Sequence, residues 1–260
     1  MTKKHLGQHW LHDPLVIARI AQSCAEGVAT GDTVIEIGPG EGALTQALLQ
    51  RGLRVVAVEL DPRCVSHLQS LPAAATGQLQ VVPADALQLD WPALLYTTGA
   101  RHVVGNLPYN VGTEIVARLL LLPQPLLRMV FLLQKEVVLR LVAKPNTPDW
   151  GRLGVLTALL ADAQRLFDVA PGAFSPPPKV MSSVVALQPL PQRRYDVDLA
   201  ALDQVLRAGF GQRRKMLRGS LKPWLTEAQI LAAGANPTAR LETLDLATLC
   251  RLAKQLSPSS

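Results

Sequence analysis

The sequence predicts an α/β fold, with helices on both faces of a parallel sheet, followed by a small all-helical C-terminal domain. Short apolar segments alternate with helical segments over the first 190 residues, and this alternation is typical of parallel sheets covered on both faces. Beyond that point the alternation stops and only helical patterns follow. We therefore expect two domains, over residues 1–190 and 191–260, in a chain long enough to bury a large core.

The elements follow in order along the chain. A first helix is predicted over 14–27, because Asp13 suits its N-cap and Pro14 its first turn. The predicted strands are 33–38, 54–60, 79–86, 102–107, 128–134, 165–171 and 181–190. The other predicted helices are 42–51, 62–71, 112–122, 151–163, 199–210, 213–221, 226–233 and 244–256. Three consecutive prolines at 176–178 exclude helix and ladder there and predict a stiff, extended loop.

Composition indicates a folded protein of a reducing compartment. Apolar residues make up 48% and charged residues 18%, which excludes a disordered chain. The three cysteines are scattered without a CxxC pattern, so we expect neither a disulfide framework nor a metal site. The most apolar stretch, Ile115–Leu122, is too short to span a bilayer. We expect a cytoplasmic protein without membrane contact, and nothing in the sequence indicates more than a monomer.

The positive charge lies mostly in the last quarter of the chain. Residues 1–192 hold 15 Lys/Arg and 14 Asp/Glu, whereas residues 193–260 hold 11 and 6. From Gln204 to Thr226 there are six basic residues and no acidic one. A solvated helix face usually mixes signs, so a run of one sign favours a nucleic-acid phosphate backbone as partner. The alternative is an ordinary, slightly basic enzyme.

A glycine turn and two acidic residues mark the ends of the first three predicted strands. Gly38, Gly40 and Gly42 follow the first strand, and Glu59 and Asp85 stand at the ends of the next two. Glycines there permit a tight turn and close approach of a ligand, and a carboxylate at the second tip can bind ribose hydroxyls. This predicts a nucleoside-containing cofactor without phosphates, since no lysine follows the glycines. The alternative is plain turn chemistry with solvated acids.

The fourth predicted strand ends in Asn106-Leu107-Pro108-Tyr109. An exocyclic amine on a base is a poor nucleophile, because its lone pair is delocalised into the ring. The Asn106 oxygen and a backbone carbonyl, of Leu107 or Pro108, can each accept one of its N–H bonds and aim the lone pair outward. Tyr109 can stack on the base. The turn therefore predicts transfer to a base nitrogen by positioning, without a strong general base.

These motifs resemble those of the small-subunit ribosomal RNA adenine N6,N6-dimethyltransferases (the KsgA/RsmA family). The segments that carry the resemblance are LGQHWL at 6–11, EIGPGEGALT at 36–45, VELD at 58–61, ADAL at 84–87, NLPYN at 106–110, LQKEVVLRLVA at 133–143, FSPPPKV at 174–180 and FGQRRKMLR at 210–218. The resemblance implies a Rossmann-like methyltransferase sheet that uses S-adenosylmethionine and releases S-adenosylhomocysteine. It further implies, as substrate, two adjacent adenines in the 3′-terminal hairpin loop of 16S rRNA within the 30S subunit. Dimethylation there would also act as a checkpoint in 30S biogenesis.

The resemblance assigns roles to individual positions. It implies a cofactor site made of Gln8, His9, Leu11, Gly38, Gly40, Glu59, Leu60, Asp85, Ala86 and Asn106. It implies a target-base site made of Asn106, Leu107, Pro108, Tyr109 and Phe174, with Phe174 as a second stacking aromatic unless it belongs to the core. It implies rRNA phosphate contacts by Lys3, Lys4, Arg213, Arg214, Lys215, Arg218 and Lys222. If residues 213–221 form a helix, Lys215, Arg218 and Lys222 share one face.

One departure and three alternatives remain open. The family commonly has asparagine and phenylalanine where this chain has His9 and Trp10, so we expect cofactor binding with altered geometry. The chain could instead be a non-catalytic RNA-binding assembly factor, or a methyltransferase of one large-subunit rRNA adenine. A nicotinamide oxidoreductase is disfavoured, because the glycine spacing differs from G-x-G-x-x-G.

Overall fold

The structure, a computed structural model, describes residues 9–256, and Lys3, Lys4 and Gln8 therefore lie outside the described residues. It divides into two compact units. The first consists of the described part of Met1–Val138 together with Ala163–Pro189. The second consists of Leu139–Asp162 together with the described part of Leu190–Ser260.

The described residues contain a seven-stranded mixed sheet and a separate two-stranded one. The strands are β1 (Trp10–Leu11), β2 (Thr33–Ile37), β3 (Arg54–Glu59), β4 (Leu79–Pro83), β5 (His102–Asn106), β6 (Arg128–Gln134), β7 (Ala161–Val169), β8 (Phe174–Ser175) and β9 (Ser182–Pro189). The large sheet has the order β4-β3-β2-β5-β6-β9-β7. Strands β2 to β6 are all parallel to one another, and β9 is antiparallel to β6. Strands β1 and β8 form the small antiparallel sheet.

Helices connect and follow the strands. They are α1 (Pro14–Ala25), α2 (Ala43–Leu49), α3 (Pro62–Gln69), α4 (Pro72–Ala75), α5 (Trp91–Thr98), α6 (Gly112–Leu120), α7 (Lys135–Leu141), α8 (Arg152–Leu160), α9 (Leu199–Phe210), α10 (Leu217–Ser220), α11 (Glu227–Ala232) and α12 (Leu246–Lys254). The expected cap of α1 is confirmed, because the Asp13 carboxylate accepts hydrogen bonds from the N–H groups of Leu15 and Val16. No helix among residues 9–256 is long and apolar enough to cross a membrane.

The register of the central strands brings their carboxyl ends to one edge. Ile37 of β2 lies opposite Val58 of β3 and Gly105 of β5. Because parallel strands end on the same side, the loops after β2, β3 and β5 meet there. The glycine turn, Glu59 and the Asn106 segment all follow or end these strands, so the fold places the predicted site at the position where open α/β sheets bind ligands.

The second unit contains more of the chain than the sequence suggested. The first unit ends at Pro189, close to the expected boundary, but residues 139–162, which we assigned to the first domain, belong to the second unit. The reason is packing: Trp150, Val155 and Leu159 are buried in the apolar core of the second unit. Residues 161–163, expected in a helix, instead begin β7, because the backbone at Ala161 is extended.

The predicted helix over 213–221 is wrong. Only α10 is helical there, a single turn. The N–H groups of Leu217 and Arg218 donate to the carbonyls of Ala239 and Pro237, at 2.8 and 2.9 Å, so a tertiary contact takes the donors that a longer helix would have used. The expectation that Lys215, Arg218 and Lys222 share a helix face falls with it, because Arg218 alone of the three lies in α10.

Candidate functional site

The glycine turn after β2 has a backbone that favours glycine at three positions. Gly38, Gly40 and Gly42 have φ of 65°, 57° and 84°, in the left-handed region where other residues are strained. The Gly38 N–H donates to Val58 O on β3 at 3.0 Å, which ties the turn to the neighbouring strand. A Cβ on Gly40 would lie only 3.2 Å from Cδ1 of Trp10. The turn is therefore shaped for close approach of another group to Gly40.

The Glu59 carboxylate at the end of β3 is fixed by three backbone donors. One oxygen accepts from the N–H groups of Leu60 and Asp61, both at 2.8 Å, and the other from Gly40 N–H at 3.1 Å. The residue is 6% exposed. A carboxylate offers about four acceptor positions, so about one remains for a ligand. The third bond also fixes the glycine turn against the end of β3.

A second buried carboxyl, Glu36 in β2, stands beside the same turn and was not predicted from the sequence. Thr45 Oγ1 donates to it at 2.6 Å. Burial, together with the nearby charge of Glu59, raises the pKa of Glu36 to about 7, although the Thr45 hydrogen bond opposes the rise. An acidic residue inside an apolar strand segment is the signal that could have singled it out.

The loop after β4 is held by its own hydrogen bonds. Asp85 Oδ1 accepts from Leu87 N–H at 2.8 Å, and Ala86 O accepts from the Trp91 indole at 3.0 Å. Asp85 is half-buried and Leu60, after β3, is 54% exposed. Leu60, Asp85 and Ala86 do not line the described cavity that contains Glu59. Their cofactor roles stay predictions from the family resemblance and, for Asp85, from its position at a strand end.

One cavity of about 70 Å³ brings the two halves of the predicted site together. The described residues that line it are His9, Trp10, Gly38, Gly40, Glu59, Asn106, Leu107, Pro108 and Tyr109. A second cavity of about 470 Å³ shares Trp10, Gly38, Gly40 and Asn106 with the first and also includes Leu11. The first is far smaller than a typical ligand site, which occupies about 300–1,000 Å³. Trp10 lines both cavities.

The segment of His9 to Leu11 lies across the site. Its strand β1 pairs with β8, with Trp10 opposite Ser175 and Leu11 opposite Phe174. Nδ1 of His9 lies 2.7 Å from Pro176 O. The structure does not bring Phe174 into the cavity: the side chain is 2% exposed and belongs to the apolar core of the first unit. The core interpretation left open for Phe174 therefore describes its position.

Asn106 and Leu107, which both line the cavity, each have an acceptor without a described partner. Nδ2 of Asn106 donates to His9 O at 2.9 Å, which leaves Oδ1 as the free end of the amide. The Pro108 carbonyl already accepts two N–H groups at the start of α6, at 3.2 and 2.8 Å. No hydrogen bond among the described residues uses the Leu107 carbonyl. Of the two carbonyls considered from the sequence, the structure thus favours Leu107 as the second acceptor for an amine.

The Tyr109 ring is held between two groups. Its hydroxyl lies 2.5 Å from Oγ of Ser182 on β9, and its ring centroid is 5.5 Å from that of His9, with planes tilted by 35°. Burial raises the pKa of the Tyr109 phenol, so the group is neutral at ordinary pH. Ser182 was missed from the sequence; the signal was a pair of serines in an otherwise apolar strand.

These groups fit S-adenosylmethionine as a ligand. The indole Nε1 of Trp10 is buried and has no hydrogen-bond partner among residues 9–256, and such a donor is costly unless something accepts from it. A methionine carboxylate is an acceptor of the required kind, and the Gly38–Gly40 turn and Glu59 supply the rest of a nucleoside site. Across the same described residues, no group of three or more His, Cys, Asp or Glu could hold a metal ion.

The basic residues of the second unit divide into two kinds. The Arg213 guanidinium donates to Pro148 O at 2.8 Å and to Trp150 O at 2.6 Å, so it stabilises the fold of this unit. Its predicted phosphate contact is thereby weakened, because its donors already have carbonyl partners. Within the basic run at 213–222, the side chains of Arg214, Lys215, Arg218 and Lys222 are exposed, and the structure of residues 9–256 gives them no hydrogen bond or ion pair.

Comparison with known proteins identifies the family. The sequence profile described as ribosomal RNA adenine dimethylase matches residues 1–257. A Ribosomal RNA small subunit methyltransferase A of Rhodospirillum rubrum is 46% identical over 97% of this chain and 87% of its own length. One from Caulobacter vibrioides is also 46% identical, over 98% and 97%.

Solved structures agree in fold. A dimethyladenosine transferase from Plasmodium falciparum superposes with a TM-score of 0.77 at 22% identity, over 94% of this chain and 96% of that one. The 23S rRNA methyltransferase ErmE gives 0.69 at 26% identity, over 95% and 99%. The expected Rossmann-like methyltransferase fold is confirmed. The full-length profile match and the 46% identity over whole chains show that this chain belongs to the ribosomal RNA adenine dimethylase family and is a methyltransferase.

Proposed function

We propose that this enzyme transfers methyl groups from S-adenosylmethionine to the N6 amines of two adjacent adenines in the 3′-terminal hairpin loop of 16S rRNA. The observation that carries the proposal is the shared cavity, in which Gly38, Gly40 and Glu59 meet Asn106 and Tyr109. A cofactor site and a base site that open into one space allow direct transfer between two bound reactants.

The target amine would be held by two acceptors. Oδ1 of Asn106 and the Leu107 carbonyl both lack a described hydrogen-bond partner. Each would accept one N–H bond of the amine, and this draws the nitrogen toward a tetrahedral geometry with its lone pair facing the cofactor. Tyr109 would stack on the extruded base. When bound, S-adenosylmethionine supplies a methyl group on a positively charged sulfur.

The described turn holds no strong base, and the reaction requires none. The amine gains positive charge as the new bond forms, so its proton becomes acidic and can leave to water after transfer. The role of Asn106 is then orientation and electrostatic stabilisation, which mutagenesis of comparable groups values at about 10²–10³ in rate.

Small-subunit rRNA is the proposed substrate because the full-length relatives at 46% identity are named as small-subunit methyltransferases, against 26% for the 23S enzyme ErmE. We place rRNA binding on the second unit, through Arg214, Lys215, Arg218 and Lys222, with Lys3 and Lys4 as further contacts. We further propose that the protein is a cytoplasmic monomer that acts on the 30S subunit and serves as a checkpoint in its biogenesis.

The test is methylation of 30S particles that lack the dimethyladenosines, with labelled S-adenosylmethionine. We expect two methyls on each of two adenines for the wild type, loss of label for Asn106→Ala, and full label for Asn110→Ala, an exposed asparagine of the same loop. Label on large-subunit rRNA alone would identify the enzyme as the large-subunit type. No label on either substrate, with tight 30S binding, would make the protein a non-catalytic assembly factor.

A further inference from the structure

Ser182 contacts the catalytic turn from a neighbouring part of the sheet. It is the first residue of β9 and lies opposite Gln134 of β6, with 0% exposure. Its Oγ lies 2.5 Å from the Tyr109 hydroxyl, 73 residues away in sequence. A buried hydroxyl is costly unless it is hydrogen-bonded, and Tyr109 is the partner that the described structure gives it.

The adjacent serine shows that this contact is specific. Ser183 is equally buried, yet its hydroxyl points to the other side of the strand, where it bonds to Asp168 at 2.9 Å and Phe167 O at 3.1 Å. Because successive side chains of a strand face opposite ways, the two hydroxyls serve different partners. Ser183 braces a surface ion pair between Asp168 and Lys135, whereas Ser182 reaches the base site.

A tyrosine that stacks on a base must present a defined ring plane. The Tyr109 backbone lies in the turn after β5, and its ring can rotate about two side-chain torsions. The hydroxyl is the point farthest from the backbone, so a hydrogen bond there removes most of the remaining freedom. If the ring is fixed before the base binds, binding does not incur the loss of side-chain conformational entropy that ordering the ring would require.

We propose that Ser182 is a positioning residue for methyl transfer, which holds the Tyr109 ring in the plane that the target base stacks on. This inference rests on the proposed function. Ser182 acts through Tyr109, so its removal lowers the rate of transfer and leaves cofactor affinity unchanged, because Ser182 does not line the cofactor cavity.

The experiment is a double-mutant cycle of Ser182→Ala and Tyr109→Phe, measured as the single-turnover rate on 30S particles at saturating S-adenosylmethionine. Each single variant removes the same hydrogen bond, and we expect each to lower the rate about 3- to 10-fold, the range for one neutral hydrogen bond. The double variant should be no slower than the slower single variant. Ser183→Ala, the matched control, should keep the wild-type rate.

Two further measurements keep the outcome unambiguous. Calorimetric titration with S-adenosylhomocysteine should give the same Kd for all four variants and the wild type within about 2-fold. If Ser182→Ala unfolds, Tyr109→Phe still removes the bond without altering the buried strand. Three results would each overturn the inference. They are a Ser182→Ala rate equal to that of the wild type, a double variant whose loss is the product of the two single losses, and a Ser183→Ala loss equal to that of Ser182→Ala. If the wild type itself methylates neither subunit, the proposed function fails instead.

Discussion

The buried Glu36 carboxyl predicts an unusual dependence of stability on pH. It is 1% exposed and Thr45 donates to it. Burial, helped by the charge of Glu59, raises its pKa from 4.5 to about 7. A raised carboxyl pKa means that the folded protein holds the proton more tightly than the unfolded chain does, so this group favours folding at low pH and opposes it as pH rises.

The magnitude follows from the difference between the two pKa values. Between the unfolded pKa of 4.5 and the folded pKa of about 7, the unfolded chain loses the Glu36 proton and the native state keeps it. A tenfold change in proton affinity corresponds to about 1.4 kcal/mol. At pH values above the folded pKa, the loss of unfolding free energy that Glu36 causes therefore approaches about 3 kcal/mol. Glu36→Gln keeps the shape and an acceptor for Thr45 but cannot ionise, so it removes this pH-dependent contribution.

The assay is urea unfolding of wild type and Glu36→Gln between pH 5 and 8. Other titrating groups are common to both proteins, so the difference in unfolding free energy isolates Glu36. We expect the unfolding free energy of the variant, relative to that of the wild type, to increase by roughly 2–3 kcal/mol between pH 5 and pH 8. Thr45→Val should raise the folded-state pKa of Glu36 further, because it removes the hydrogen bond that favours the charged form. The pH-dependent loss of stability should then extend to higher pH than in the wild type. A difference that stays constant with pH would refute the reasoning.

Three further changes test other parts of the molecule. Gly40→Ala should lower the free energy of urea unfolding by about 1–3 kcal/mol and weaken S-adenosylhomocysteine binding, because φ is 57° and the added Cβ meets Trp10. The control is Gly99→Ala, with φ of 65° and no atom within 4 Å of its Cβ, which measures the backbone strain alone, about 1 kcal/mol. Arg213→Ala should lower the unfolding free energy by about 1–2 kcal/mol, because two backbone carbonyls lose their donor. Lys222→Ala should leave stability unchanged and reduce the slope of log K against log salt for rRNA binding by about 0.7–0.9.

The sequence predicted the elements whose signal is local. Apolar runs of strand length located β2, β3 and β5, which end at a glycine turn, at Glu59 and at Asn106. The N-cap of α1 was readable from two residues, Asp13 and Pro14. The strand ends then located Gly38, Glu59 and Asn106 on one edge. Such features depend on periodicity and capping within a few residues, which is why a single sequence is enough to find them.

What the sequence did not predict depends on distant partners. The helix expected over 213–221 gives way because its donors find carbonyls of Pro237 and Ala239. Arg213 belongs to a basic run, yet its guanidinium bonds to carbonyls more than 60 residues away. Phe174 is buried in the apolar core of the first unit, and its strand pairs with the distant Leu11. In each case a contact between distant residues decides the outcome, and neither composition nor charge pattern encodes such a contact.

The hydrogen bonds already made within the site indicate which atoms remain for ligands, and the two ends of the cavity differ in kind. Near the base, Asn106 Oδ1 and the Leu107 carbonyl remain, and both are acceptors. Near the glycine turn, the orphaned Trp10 N–H is a donor, and the Glu59 carboxylate keeps about one acceptor position. An amine that must be held by its N–H bonds needs acceptors, while an amino-acid carboxylate needs donors. The two acceptors at the Asn106 end favour the amine there, and the Trp10 donor favours the carboxylate at the other end. A catalyst that works by positioning requires only that its groups orient the two reactants. Asn106→Asp keeps the acceptor but loses the donor to His9 O, so it should retain more activity than Asn106→Ala in the 30S methylation assay.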